Sequence, residues 1–125
     1  MVSIVIHTSY YTGGAHGGRN IYTFNFDGDK KREITLDSLF RTPGYLDKIA
    51  QYTMNDLKDQ LKETSGSEPN MSMLREGTSP KIENFSKFTI GVDKSITFYF
   101  EQYQVAPYVA GEQKVVMPLS YIISN

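Results

Sequence analysis

His7 and His16 are the only histidines among the 125 residues, and cysteine is absent, so few side chains could act as nucleophiles or metal ligands. A hydrolytic zinc site usually takes three protein ligands, and no acidic residue stands at ligand spacing from the two imidazoles. The lack of cysteine excludes thiolate zinc sites, iron–sulfur clusters, disulfides and a cysteine nucleophile. We therefore predict that the chain has no metal, no cofactor and no catalytic residue of its own.

A glycine-rich segment surrounds His16, with four glycines among the six residues from Gly13 to Gly18. Backbone N–H groups and Arg19 could together hold an anion there. Phosphate-binding loops lead into a helix, however, whereas this segment stands between two segments of strand type. The pattern favours a turn between strands, or a loop that contacts a partner, over a phosphate site.

A second distinctive segment, EQYQVAPYVAG, runs from Glu101 to Gly111 and follows a strongly apolar strand. Tyrosines on a loop stiffened by proline bury a large area at small entropic cost and can also form hydrogen bonds, which suits recognition. Tyr103 and Tyr108 could equally pack onto the edge of a sheet. Of the two, we expect Tyr108 to be the exposed one.

Period-2 alternation predicts the strands that would position these two segments. It indicates a strand on each side of the glycine-rich segment, a hairpin from Phe88 to Phe100 and a closing strand from Lys114 to Met117. Strands of this kind have one buried face. In the first pair we expect that face to consist of Ile4, Ile6, Tyr22, Phe24 and Phe26.

Apolar residues at helical spacing predict one amphipathic helix from about Gly44 to Lys62, with Thr42 as its N-cap and Pro43 as its first residue. A shorter helix from Pro69 to Arg75 is expected in the Ser-, Gly- and Pro-rich segment that follows, because a structureless loop of that length would be unusual. The order of strands, helix and strands predicts an α+β fold. In it the long helix packs across an antiparallel sheet of four or five strands.

Thirteen basic and fourteen acidic residues give a net charge of -1, so no bulk electric field favours nucleic acid or an anionic membrane. The longest apolar runs, such as Val115 to Met117, are far shorter than the roughly 20 residues that span a bilayer. No export signal is visible in the sequence. We predict one domain, residues 1–125, cut from a longer chain, with no nucleic-acid partner and no membrane span.

Three motifs occur in order: YTGGAHG from Tyr11 to Gly17, LDSLF from Leu36 to Phe40, and YQVAPYVAG from Tyr103 to Gly111. Together they resemble the C-terminal extracytoplasmic domain of unknown function shared by RsiV-type anti-sigma factors and PdaC-like peptidoglycan deacetylases. The resemblance covers about Ser3 to Ile122 and implies a non-catalytic α+β module that is secreted or tethered to the membrane. In the RsiV branch the domain binds lysozyme and presents loops to the cleft of that enzyme.

The resemblance implies a binding surface for a protein such as lysozyme or for a peptidoglycan-related glycan. The residues that it assigns to partner binding are Thr12, Gly13, Gly14, His16, Ala106, Pro107, Tyr108 and Gly111. Lysozyme is strongly basic and favours an acidic binder, whereas the net charge here is close to zero. The chain has no sigma-binding helix, so the signalling role of the anti-sigma factors does not carry over.

Two alternatives remain open from the residues. A small hydrolase acting on cell-wall glycan would use His16 with Asp27 or Glu101, which must then lie within hydrogen-bonding distance in a concave pocket. A structural spacer would expose only a few scattered aromatic side chains. Any catalytic activity of the parent protein is otherwise expected in a separate domain.

Overall fold

The computed structural model describes residues 2–10, 18–101, 103–106 and 112–123, and across these residues the chain forms two three-stranded antiparallel sheets and one long helix. The first sheet, here named sheet A, joins β1 (Val2–Tyr10), β2 (Gly18–Asp27) and β3 (Arg32–Glu33) in that order. β1 pairs with β2 along its whole length. The alternation on both sides of the glycines therefore forms the predicted pair of strands.

The second sheet, named sheet B, joins β4 (Phe88–Ile90), β5 (Ser95–Phe100) and β6 (Gln113–Pro118) in that order. Every second residue of β5 is buried, as expected for a strand with one face against the core. The predicted hairpin and the predicted closing strand are both confirmed.

Among the described residues, three α-helices and one 3₁₀ helix lie between the two sheets in the sequence, and a second 3₁₀ helix follows β6. They are α1 (Leu36–Leu39), α2 (Tyr45–Ser65) and α3 (Met71–Gly77), with short 3₁₀ helices at Ile82–Phe85 and Leu119–Tyr121. A capping box begins α1, since the side chain of Thr35 accepts from the N–H of Ser38 and the side chain of Ser38 accepts from the N–H of Thr35. The predicted short helix forms as α3, two residues later than expected at each end.

The long helix α2 packs against β6 of sheet B. Gln60 on α2 donates to the carbonyl of Lys114 at 3.1 Å, and the apolar face of the helix buries Ile49 and Leu57 completely. The helix begins and ends at glycines in the left-handed region, Gly44 at φ 78° and Gly66 at φ 73°, so Gly44 and not the predicted Thr42 is the N-cap. Its predicted packing across a sheet is confirmed for sheet B.

The described strands do not form the single sheet of four or five strands that the sequence suggested, because β4 does not continue the ladder of sheet A. One edge of β4 bonds to β5, and the other edge meets polar side chains from the inner face of sheet A. The N–H of Phe88 donates to Oγ1 of Thr23 at 3.2 Å, and Nδ2 of Asn25 donates to the carbonyl of Phe88 at 2.9 Å. The N–H of Ile90 donates to Oγ of Ser3 at 3.0 Å. Side chains thus form hydrogen bonds with the backbone groups at this edge of β4, which a further strand would otherwise pair.

The prediction of which face of the first strand pair is buried is also wrong. The alternating apolar residues of β1 and β2 point outwards, and the polar residues between them, such as Ser3 and Asn25, point towards sheet B. The main core lies elsewhere, around sheet B and α2, where the rings of Phe85, Phe98 and Phe100 make edge contacts. Val5 of β1 and Ile21 of β2 are apolar residues on the inner face, and Ile21 has 1% of its surface exposed.

Candidate binding surface

Seven of the eight residues predicted to contact a partner lie outside the described residues: Thr12, Gly13, Gly14, His16, Pro107, Tyr108 and Gly111. Ala106 is described, and its side chain is buried in the core cluster with 5% of its surface exposed. Ala106 therefore anchors the segment that follows it instead of offering its own surface to a partner. The site must be built from the described residues that flank the two predicted loops.

His7 and Glu112 bring those flanks together. His7 lies on β1, near the end of that strand where the glycine-rich segment begins, and Glu112 directly follows Gly111 in sequence. The Nδ1 atom of His7 is 3.3 Å from Oε1 of Glu112, and the side chains keep 47% and 18% of their surfaces exposed. The imidazole and the carboxylate thus connect the approach to one predicted loop with the exit from the other.

Tyr99 and Thr89 extend this pair into a small polar cluster on sheet B. The ring of Tyr99 meets the imidazole of His7 edge-on, with 6.0 Å between the ring centroids. Its hydroxyl lies 3.2 Å from Oγ1 of Thr89 on the neighbouring strand. The second carboxylate oxygen of Glu112 is buried and has no hydrogen-bond partner among the residues that the structure describes. A buried carboxylate oxygen without a partner costs free energy, so this cluster has unused capacity to accept a hydrogen bond.

The turn after β5 is held rigidly on the scaffold. Nε2 of Gln104 donates to the carbonyls of Gly77 at 3.2 Å and Asn84 at 2.9 Å, and its Oε1 accepts from the N–H of Glu101 at 3.3 Å. A Cβ on Gly77 would overlap the carbonyl oxygen of Gln104, so only glycine permits this approach. Val105 is also buried, with 1% of its surface exposed. Gln104 and Val105, at the start of the second predicted loop, are therefore held in place by the scaffold.

Tyr103 stands in the same turn and keeps 56% of its surface exposed. Its backbone adopts φ 70°, in the left-handed region that residues other than glycine rarely occupy. The contacts of Gln104 and Val105 on its C-terminal side hold this turn in place. The sequence favoured Tyr108 as the exposed tyrosine of this segment; Tyr103 is exposed, and Tyr108 lies outside the described residues.

Of the two acids proposed for a hydrolase, Glu101 directly follows β5, where its N–H donates to Oε1 of Gln104. Asp27 ends β2, about 30 Å along the strand from Gly18, where the glycine-rich segment ends. Its Oδ1 caps the turn to β3 by accepting from the N–H groups of Asp29 and Lys30. His16, the other proposed partner, lies outside the described residues. Over the part of the chain that the structure describes, no three His, Asp or Glu side chains converge to hold a metal ion.

A cavity of about 220 Å³ lies between sheet A and the 3₁₀ helix Ile82–Phe85, away from the His7 cluster. Its lining includes Thr23, Asn25 and Phe88, whose polar groups already bond to one another across the two sheets. Small-molecule sites are usually larger, at about 300 to 1,000 Å³. This cavity is therefore a packing gap between the sheets and a poor ligand site.

The sequence could not indicate the cluster of His7, Tyr99 and Glu112. Alternation on β1 marks His7 only as a residue out of phase with Ile4 and Ile6, and Glu112 reads as a solvated residue at a strand end. Their pairing depends on how sheet A stands against sheet B, which no local pattern specifies. One feature of the sequence could have indicated Glu112: it directly follows the loop that was predicted to bind a partner.

Comparisons with known proteins identify a family that the chain matches. The family model described as "Protein of unknown function (DUF3298)" matches residues 37–120. A peptidoglycan-N-acetylmuramic acid deacetylase, PdaC, from Bacillus subtilis (strain 168) is 38% identical over 122 residues, which cover 97% of this chain and 25% of the deacetylase. The chain thus spans about a quarter of that relative's length.

A solved structure shares the fold. It is a member of the DUF3298 family from Bacteroides fragilis NCTC 9343, with a TM-score of 0.66 and 25% sequence identity, covering 93% of this chain and 44% of that chain. Among the helices of the described residues, none combines the length and the apolar character needed to cross a bilayer.

Proposed function

The chain belongs to the DUF3298 family, and on that basis we propose that it is a non-catalytic binding module of the cell envelope. In this proposal its partner is a protein such as lysozyme, with a peptidoglycan-related glycan as the alternative ligand. The contacting surface comprises the segments that carry Thr12 to His16 and Pro107 to Gly111. The deacetylase relative is named for a peptidoglycan substrate, so a module shared with it would work beside the cell wall.

The contact between His7 and Glu112 is the observation that carries this proposal. It supports a common face for the two segments. Nδ1 of His7, on the strand that leads into one segment, lies 3.3 Å from Oε1 of Glu112, which directly follows the other segment. Adjacent loops on a rigid scaffold are where binding residues concentrate in proteins. A second polar feature of the same region is the buried oxygen of Glu112, an acceptor that no described residue satisfies.

The fixed turn before Pro107 supports the proposal as well. A surface that is already ordered before binding loses less conformational entropy on binding. The contacts of Gln104 with Gly77 and Asn84 order this turn, and Tyr103 presents a half-exposed ring from it. We therefore include Tyr103, which the sequence did not assign, in the proposed surface.

The two alternatives from the sequence have less support. A hydrolase needs a concave site with a base beside its nucleophile. Of the two proposed acids, Asp27 caps a turn at the far end of β2, and Glu101 directly follows β5. A spacer would expose scattered aromatic residues, whereas Tyr22 and Phe24 lie next to each other on one outward face of β2. The family is described as one of unknown function, and that description names no catalytic role.

We place the module outside the cytoplasm in this proposal, since a ligand of the cell wall is met there. Any deacetylase or other catalytic activity of a longer protein would belong to a separate domain, because the chain spans only a quarter of the deacetylase relative.

The experiment is a calorimetric titration of the chain with lysozyme and, separately, with muropeptides. Tyr108→Ala should weaken binding of the true ligand by at least about tenfold, the effect expected when a central aromatic anchor is lost. Tyr121→Ala is the matched control, because Tyr121 is 42% exposed and follows the opposite end of β6 from Glu112. Heat from neither ligand, or equal weakening by both variants, would refute the proposal.

A further inference from the structure

The outward face of sheet A is apolar across both long strands. Its residues alternate along each strand and stand opposite one another in the register, so that Ile4 faces Phe24 and Ile6 faces Tyr22. The rings of Phe24 and Phe26 lie nearly parallel, 6.2 Å apart. We name this surface the outer face, and its residues are Val2, Ile4, Ile6, Tyr22, Phe24 and Phe26.

These side chains are unusually open to solvent for their type. The exposed fractions are 52% for Val2, 46% for Ile4, 53% for Ile6, 51% for Tyr22 and 45% for Phe24. Together they present about 500 Å² of apolar surface, at the upper end of what single proteins leave uncovered.

The register fixes this arrangement. A shift by one residue would turn the apolar set inwards, but it would also remove Ser3, Thr23 and Asn25 from the edge of β4. The three polar side chains make hydrogen bonds to β4, one of them through a side chain that is only 3% exposed. The inner face thus keeps these three polar residues against β4, beside Val5 and Ile21, while the outer face leaves its apolar residues exposed. An exposed apolar patch of this kind marks an interaction surface.

We propose that a second copy of this chain covers the outer face, so that two sheets A stack face to face around a two-fold axis. Two such faces would bury about 1,000 Å² of apolar surface, and the rim would bring the total into the range of about 1,200 to 2,000 Å² seen in stable interfaces. Stacked sheets lie about 10 Å apart with interdigitating side chains, an arrangement that branched and aromatic residues fit well.

The charges around the outer face suit pairing with itself. The outward positions of β1 and β2 that the structure describes carry no charged side chain, so stacking opposes no like charges. Lys87 lies at one end, with Nζ 5.5 Å from the centre of the Tyr22 ring, and Glu33 stands opposite Phe26 at the other end. A two-fold axis that reverses the strand direction brings Lys87 of one copy towards Glu33 of the second copy.

The first test is sedimentation equilibrium of the 125-residue chain over a range of concentrations. The chain should form a dimer, and the double variant Ile4→Ser with Phe24→Ser should raise the dissociation constant by at least about tenfold. Val116→Ser is the matched control, since Val116 is 52% exposed on β6 in sheet B, and it should leave the dimer intact. A wild-type chain that stays monomeric at every concentration overturns the proposal, as does a dimer that the double variant does not weaken.

A second measurement does not depend on disrupting the face. Cysteine is absent from the chain, so Phe24→Cys and Val116→Cys each introduce a single thiol. Phe24 lies near the middle of the outer face, and a short bis-maleimide should join two Phe24→Cys chains and leave Val116→Cys chains unjoined. Equal yields for the two positions would contradict the stacked arrangement, and would point to an occupant other than a second copy.

The charges supply a third arm. Lys87→Glu should weaken the dimer, and adding Glu33→Lys should restore it. No restoration would overturn the strand-reversed arrangement. The dimer and ligand binding at the loops can be tested independently. The monomeric double variant should still bind the ligand in the calorimetric titration.

Discussion

The imidazole of His7 and the carboxylate of Glu112 lie 3.3 Å apart, which ties sheet A to the start of the last strand of sheet B. Double-mutant analysis with His7→Ala and Glu112→Ala should give a coupling free energy of about 0.5 to 1 kcal/mol in urea unfolding. The cycle isolates the interaction between the two side chains. Removing the buried second oxygen of Glu112 changes the single and the double variant equally, so its effect cancels.

The Lys62 and Glu68 pair is a control for that cycle. Both of its side chains are about 60% exposed, at 59% and 61%, and solvent screens their attraction. It should show weaker coupling than His7 with Glu112. Equal coupling in the two cycles would mean that the partial burial of Glu112 contributes nothing.

Gly77→Ala should destabilise the fold by about 2 to 4 kcal/mol, the cost of forcing a methyl group into a packed site. The added Cβ would overlap the carbonyl of Gln104 and lie 2.8 Å from Cγ1 of Val105. Gly28→Ala is the control, because no atom lies within 4 Å of a Cβ placed there. Urea unfolding of both variants checks this, and a small effect of Gly77→Ala would show that the turn at Gln104 is not fixed as described.

Asn25→Ala should cost about 2 to 3 kcal/mol, since it removes a buried amide that bonds both Phe88 and Ser3. The amide of Ile90 should also exchange faster with solvent, because Ser3, which accepts from it, loses its own acceptor. Asn55→Ala, on the exposed side of α2, should change stability by less than about 0.5 kcal/mol. Similar unfolding curves for the two variants would contradict the role of side chains in joining the sheets.

Tyr45 should titrate late. Burial, assisted by its hydrogen bond to Asp37 and the charge of that carboxylate, raises the pKa of Tyr45 from 10.0 to about 12. A raised tyrosine pKa stabilises the fold while the phenol is neutral, so this contribution is complete below pH 10 and is lost as the pH rises towards 12. Burial also raises the pKa of Tyr52, so the test is the difference between two titrations. Absorbance at alkaline pH should show that Tyr45→Phe loses one phenol that titrates at about pH 12. An unchanged titration curve in Tyr45→Phe would contradict the assignment.

The regular elements were largely predictable from local patterns. Alternation located the strands, and helical spacing placed α2 from about Gly44 to Lys62, against the observed Tyr45–Ser65. The predicted N-cap of α2 was wrong, because Gly44 takes a left-handed conformation that Thr42 and Pro43 do not reveal. Local chemistry therefore predicted which residues form each element.

The relation between elements was not predictable in the same way. Alternation shows that Ile4 and Ile6 share a face, but it does not show whether this protein or another covers that face. The split into two sheets depends on Ser3, Thr23 and Asn25 meeting the edge of β4, which is distant in sequence. The pairing of His7 with Glu112 follows from that packing and was missed with it.

The most direct test of the proposed function is to map the bound surface by nuclear magnetic resonance, adding unlabelled lysozyme and then muropeptides to the ¹⁵N-labelled chain. We predict that amide shifts for the true ligand cluster at residues 11–17 and 103–111, with smaller shifts at His7 and Glu112 and none around Tyr121. Shifts centred on the Tyr121 end of the molecule, or no shifts with either ligand, would contradict a binding surface built from the two loops.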